Sequence, residues 1–198
     1  MRTLTVRFLG AATLAGSLVL GLAAARERQA GDIYGAAPEA AARVLSVLAL
    51  KPSLSYNTAR EALTRCVTTI TSSYFEGLAD AEKSKAVLNC RDFALGLAVH
   101  NAPHAEAHIL LALLGDDARD ADAVGENLIA AQNLAPRDRF NVEWRLILAH
   151  RASQWSGDAL TGYDCARDLQ LLETHLPGNR TLTFLRDNNT PLLERCAA

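Results

Sequence analysis

Most of the signatures that announce an enzyme are missing from this chain. It has no glycine-rich phosphate loop, no dinucleotide fingerprint and no Gly-x-Ser-x-Gly elbow, so nucleotide chemistry and elbow-type acyl transfer have no support in the sequence. There is no Cys-x-x-Cys pair, which removes zinc ribbons and thioredoxin-like redox pairs. Aromatic residues make up only 6% of the sequence and consecutive β-branched residues are few, while Ala and Leu abound, so a sheet core is excluded in favour of an all-α class. A basic excess is also lacking. Two of the 20 basic residues and none of the 22 acidic ones precede Arg26, which leaves 18 against 22 and a formal charge of −4 from there on. Such a balance does not suit nucleic acid as a partner.

What the chain does have starts at its N-terminus. Arg2 and Arg7 precede the uncharged run Phe8 to Ala25 (FLGAATLAGSLVLGLAAA), and Arg26-Glu27-Arg28 closes it. A secretory apolar region is about 7–15 residues long and a spanning helix about 17–25, and this run lies at the border between them. Leu22-Ala23-Ala24 and Ala23-Ala24-Ala25 offer the small residues that a signal peptidase accepts, whereas no Cys follows closely enough for a lipid anchor. The leading arginines keep the N-terminus cytoplasmic in either case. Residues 1–28 are expected to be a retained inner-membrane anchor with the C-terminal domain in the periplasm. The alternative is a cleaved signal that leaves a periplasmic or secreted protein. Residues 29–37 read as a linker and 38–198 as one helical domain.

Four cysteines, Cys66, Cys90, Cys165 and Cys196, all follow the apolar run. An even set in an exported chain predicts two disulfides. Cys66 with Cys90 and Cys165 with Cys196 is the favoured connectivity, since each pair flanks an expected turn and would staple an antiparallel helical hairpin. Four buried free thiols are the alternative.

Prolines at 38, 52, 103, 136, 177 and 191 fall at helix boundaries, where the missing N–H does least harm. Between them apolar residues recur at helical spacing. Val44, Leu45, Val47 and Leu48 form a stripe after Pro38. Thr58 and Glu61 read as a capping box for a helix with Ala59, Leu63, Cys66, Ile70 and Tyr74 along one side. The run Cys66 to Ser73 is the one place where a strand competes. Further helices are expected over about 80–100 (inner face Val87, Cys90, Ala94, Leu97 and Ala98), from Pro103 to near Gly115, and over about 119–135, 139–155 and 158–175. Two short ones follow, and short connections make neighbours antiparallel.

An internal echo runs through this series. Ala102-Pro103 before Glu106-Ala-His-Ile-Leu-Leu-Ala-Leu113 resembles Ala135-Pro136 before Glu143-Trp-Arg-Leu-Ile-Leu-Ala-His150, and the prolines are spaced by 33 and then 41 residues. In this respect the chain resembles a degenerate tetratricopeptide-type repeat protein. The best unit is Ala105 to Pro136, with Gly115-Asp116 at the inter-helix turn and Ala131, Leu134 and Pro136 at the small, apolar and terminal-proline places of that motif. It departs from the pattern at His108, which stands where a large aromatic belongs, and in its very short turn. The resemblance implies stacked antiparallel helix pairs, an α-solenoid whose first helices build a partner surface. His104, His108, Asn141 and Arg145 lie on those first helices and are the candidate partner-binding residues. The segment Leu134 to Arg151, behind an N-terminal span, is also similar to the small VpsP-like proteins that accompany bacterial exopolysaccharide export. That similarity implies a cell-envelope setting and carries no catalytic residue.

Chemical constellations are thin. His104 and His108 share a helix face with Glu106 between them, yet the His-Glu-x-x-His order is absent, and no metal is expected. Asp116, Asp117, Asp120 and Asp122 lack the alternation of a calcium loop and read as a solvated turn with helix-capping carboxylates. The expected function is a non-catalytic, membrane-anchored adaptor that binds an envelope protein, with no cofactor and no nucleic acid. The alternative is an exported helical enzyme, metal-dependent or with a site assembled from residues such as Asp116, His108 and His150.

Overall fold

Helix starts in this chain are set by short polar side chains. In the computed structural model, which describes residues 38–47, 55–99, 104–156, 158–188 and 191–197 together with residue 24, six helices open on a side chain that accepts a backbone N–H: Ser55, Ser72, Asp120, Asp138, Asp164 and Asn179. The elements are α1 (Pro38–Val47), α2 (Tyr56–Ile70), α3 (Ser73–Glu76), α4 (Asp80–Val99), α5 (Ala105–Ala118), α6 (Ala121–Leu134) and α7 (Arg139–Ser153). A 3-10 turn (Asp158–Leu160), α8 (Cys165–His175), α9 (Arg180–Asp187) and α10 (Pro191–Ala197) follow. The described residues contain no strand, and the all-α expectation holds. The expected anchor at 1–28 (residue 24 apart) and the linker at 29–37 lie outside the described residues. Among those described, no helix is long and apolar enough to cross a membrane.

Helix α5 is the hub. It forms the closest pair with α6 and also packs on α2, α4 and α7, while α1 lies on α4 and α8 on α7. One buried apolar cluster runs from Leu45 through Phe93, Leu110, Leu128 and Leu146 to Cys196. The disulfides follow the expected connectivity: Cys66 of α2 joins Cys90 of α4 at a Cα separation of 5.9 Å, and Cys165 of α8 joins Cys196 of α10 at 5.3 Å. Two bridges of this kind fit an oxidising, exported setting.

Several local expectations need correction. The capping residue of α2 is Ser55, whose hydroxyl accepts the N–H of Thr58, so Thr58 lies inside the helix and the Thr58–Glu61 box does not form. The inter-helix turn is not at Gly115-Asp116. α5 continues for another turn, and the reversal occurs at Arg119, in the left-handed region at φ 54°, followed by the capping residue Asp120. Gly115 has a packing role instead: a Cβ there would stand 3.1 Å from the Cβ of Ala123, so its absence lets α5 and α6 close on each other. The helix expected over 158–175 is interrupted at Gly162, whose φ of 83° breaks it into the 3-10 turn and α8.

Candidate functional site

Three of the four candidate partner residues hold the fold together from inside. Arg145 is 0% exposed and donates from Nε and Nη2 to the two oxygens of Asp168, at 2.6 and 2.8 Å. Its Nη1 donates to the carbonyls of Ala131 and Ala135 at 3.3 and 3.0 Å, and the hydroxyl of Tyr163 donates to Asp168 at 2.7 Å. Burial, reinforced by Asp168, pushes the Tyr163 phenol well above its ordinary range, so it stays a donor. Asn141 is 0% exposed too; its side-chain amide donates to Glu106 (3.0 Å) and to Asp138 (2.9 Å). Arg60 completes that second network, reaching Glu106 at 2.8 Å and Asp138 at 2.6 Å. Burial opposes the Arg60 charge, but the two carboxylates outweigh it and raise its pKa.

The buried ring of His104 stacks against Tyr56 at a centroid distance of 4.4 Å. His108, half-buried, turns to α6 and pairs its Nδ1 with Oδ1 of Asn127 at 2.8 Å. The expectation that His104, Asn141 and Arg145 present a partner surface is therefore corrected. Asn141 and Arg145 lie on α7 and His104 at the N-cap of α5, but all three face neighbouring helices; the Arg145 guanidinium is bonded to Asp168 and to two carbonyls, whereas Nδ1 of His104 and Oδ1 of Asn141 have no hydrogen-bond partner among the described residues. Nor do Asp116, His108 and His150 converge. Asp116 is held by Arg151 at 2.6 Å and by the Trp155 indole at 2.8 Å, His108 by Asn127, and His150 lies edge-on to Phe184. Asp116 is buried, which also corrects the fully solvated reading of the acidic turn. Among the described residues no three His, Cys, Asp or Glu side chains are grouped as metal ligands would be.

These histidines confer a pH dependence. Burial lowers the pKa of His104 and of His150 below that of a free imidazole. The folded state thus takes up these protons less readily than the unfolded chain, and stability is fully present above the unfolded pKa of about 6.5 and falls as pH drops through it. We expect the denaturation midpoint to decline between pH 7 and pH 5, with the decline reduced in His104→Gln. A midpoint that rises on acidification over this window would contradict the assignment.

The surface feature left by this packing is a groove. Helix α4 is apolar on two sides: Cys90, Phe93, Ala94 and Leu97 are buried, while Leu88 and Leu95 on the other side are 50% and 39% exposed. Beside them lies a cavity of about 620 Å³ with Leu88, Arg91 and Leu95 on one wall, Leu111 and Leu114 of α5 as its floor and Asn127 of α6 opposite. Gly115, Ala118 and Ala123 also line it, and side chains so short leave it open. Its volume lies within the roughly 300–1,000 Å³ typical of binding clefts. The rim is charged on both sides: Arg91 stands on the α4 wall, and Asp117 and Asp120 stand at the α5–α6 reversal. Asp117 accepts from Arg151 at 2.7 Å, and burial raises its pKa even against that guanidinium. Arg91 and Asp92 are exposed, and among the described residues neither side chain has an ion-pair or hydrogen-bond partner.

This groove is not among the sequence candidates. Its signal was present in Leu88 and Leu95, seven residues apart and off the expected inner face of Val87, Cys90, Ala94, Leu97 and Ala98. The class these features define is an all-helical protein of packed helix pairs, cross-linked by two disulfides and grooved between α4 and α6. No family model, curated protein or solved structure matches the chain.

Proposed function

We propose that this protein is a non-catalytic adaptor of the bacterial cell envelope, anchored in the inner membrane by residues 8–25, whose tetratricopeptide-like exported domain docks proteins on the α4–α6 groove. Exopolysaccharide assembly or export is the setting that the similarity to VpsP-like proteins implies. The observation that carries the reading is the second apolar side of α4: Leu88 and Leu95 stay exposed beside the leucine floor of α5 although a continuous core was available to bury them. Contiguous exposed apolar surface with a charged rim is what a protein-docking site presents, and a groove between helices suits the apolar stripe of a partner helix. Two disulfides support the exported placement.

The test places a photoreactive residue at Leu111 in the full-length protein in its native membranes, with the same residue at exposed Thr183 of α9 as a control. Leu111 is expected to yield a discrete protein adduct that Thr183 does not, and Leu114→Asp is expected to abolish it. Equal labelling from both positions, or none from Leu111, would remove the groove as the docking face.

A further inference from the structure

We propose that the protein docked in this groove is a second copy of the chain, held by an antiparallel pairing of α4 with its equivalent. The inference rests on the reading of the groove as a protein-docking face and names its occupant.

Leu88, Arg91, Asp92 and Leu95 are all exposed and fall on one stripe of α4, since residues three, four and seven apart share a helix face. A two-fold axis that passes between Arg91 and Asp92 places Leu88 of each copy on Leu95 of the other. The same axis sets Arg91 of each copy against Asp92 of the other, so one operation covers four exposed leucines and pairs four charges that have no partner among the described residues of the single chain. A C2 interface requires this kind of self-complementarity.

Other arrangements of the same stripe fail. A parallel pairing would set Arg91 against Arg91. Sliding the antiparallel register by one heptad, which moves the axis half a heptad toward the N-terminus so that Leu88 meets Leu88, brings Lys85 against Arg91. Moving it the other way, so that Leu95 meets Leu95, puts Arg91 and Asp92 opposite the uncharged end of α4. Only the central register pairs opposite charges, and like charges forced together at an interface suppress the wrong pairing. The groove floor adds to this, because Leu111 and Leu114 lie beside the α4 stripe where a second helix would cover them. An occupant with a wholly uncharged stripe, such as Phe8 to Ala25, would cover the leucines and leave Arg91 unanswered. The second copy supplies the matching acid.

The experiment is charge reversal in the full-length protein in native membranes, read through a photoreactive residue at Leu88. The wild-type background is expected to give an adduct of twice the chain mass, with the link mapping near Leu95. Arg91→Asp alone and Asp92→Arg alone each set like charges together at two symmetric places and are expected to weaken self-association roughly tenfold or more. The double reversal restores opposite charges and is expected to recover the adduct, which a folding defect would not do. Failure of the double variant to recover would overturn the pairing. An adduct only with other proteins would overturn the second copy as occupant while leaving the groove a docking face; no adduct from either Leu88 or Leu111 would overturn both.

Discussion

Replacing Asp168 by Ala is expected to lower the unfolding free energy by about 3–5 kcal/mol, because it strands a fully buried guanidinium. Both oxygens of Asp168 bind Arg145, and both side chains are 0% exposed, so no water can take over when one partner is removed. The loss would be felt beyond the pair. Arg145 ties α7 to the end of α6 through the carbonyls of Ala131 and Ala135, and Asp168 fixes α8 and the Tyr163 hydroxyl to the same point. Measured against the 5–15 kcal/mol of a typical domain, the loss would be a large fraction of the total stability. Denaturant titration checks this, and the control is the paired change Arg145→Met with Asp168→Leu. Removing both charges together should recover much of the loss, since apolar replacement of a buried ion pair is often neutral or better. An unfolding free energy for Asp168→Ala within about 0.5 kcal/mol of wild type would mean that Arg145 finds solvent, contrary to its burial.

The second large effect concerns the disulfides. Their sequence separations are 24 and 31 residues, and the chain-entropy relation assigns about 3.5 kcal/mol to each closed loop. Reduction of both is expected to unfold the domain or bring it close to unfolding at 37 °C, because the two loops do not overlap and their contributions add to a first approximation. Near-ultraviolet circular dichroism with and without reductant reads this directly. Counting thiols in denatured protein from its native source tests the compartment: alkylation under denaturation, without reductant, should find no free thiol among the four cysteines. Four reactive thiols would remove the exported setting along with the stabilisation.

The local grammar of the fold was readable in the sequence. Prolines and short polar residues delimit helices because their effects act within a few residues, on a backbone N–H or a single φ angle. Helix class, most helix limits and the disulfide pairing follow from spacing of this kind. Gly115 shows where the reading stops. A glycine before two aspartates looks like a turn, and the structure uses it for a close crossing of α5 and α6, a demand made by a residue eight positions away in the next helix.

Arg145, Asn141 and His104 mark the same limit in the candidate site. Periodicity places them on first helices, but whether that side of the helix meets solvent or another helix is decided by how α7 packs on α6 and α8, and by whether Asp168, Glu106 or Asp138 is within reach. The exposed side of α4 is the reverse case. Once Asp80–Val99 is a helix, Leu88, Arg91, Asp92 and Leu95 share a stripe, because the helical repeat requires it. Which of two apolar sides is buried depends on where α1, α2 and α5 stand, since burial is a property of the neighbours. Helices, most of their ends and the pairing of their cysteines were therefore legible locally, and the groove only in the tertiary arrangement that left one side of α4 uncovered.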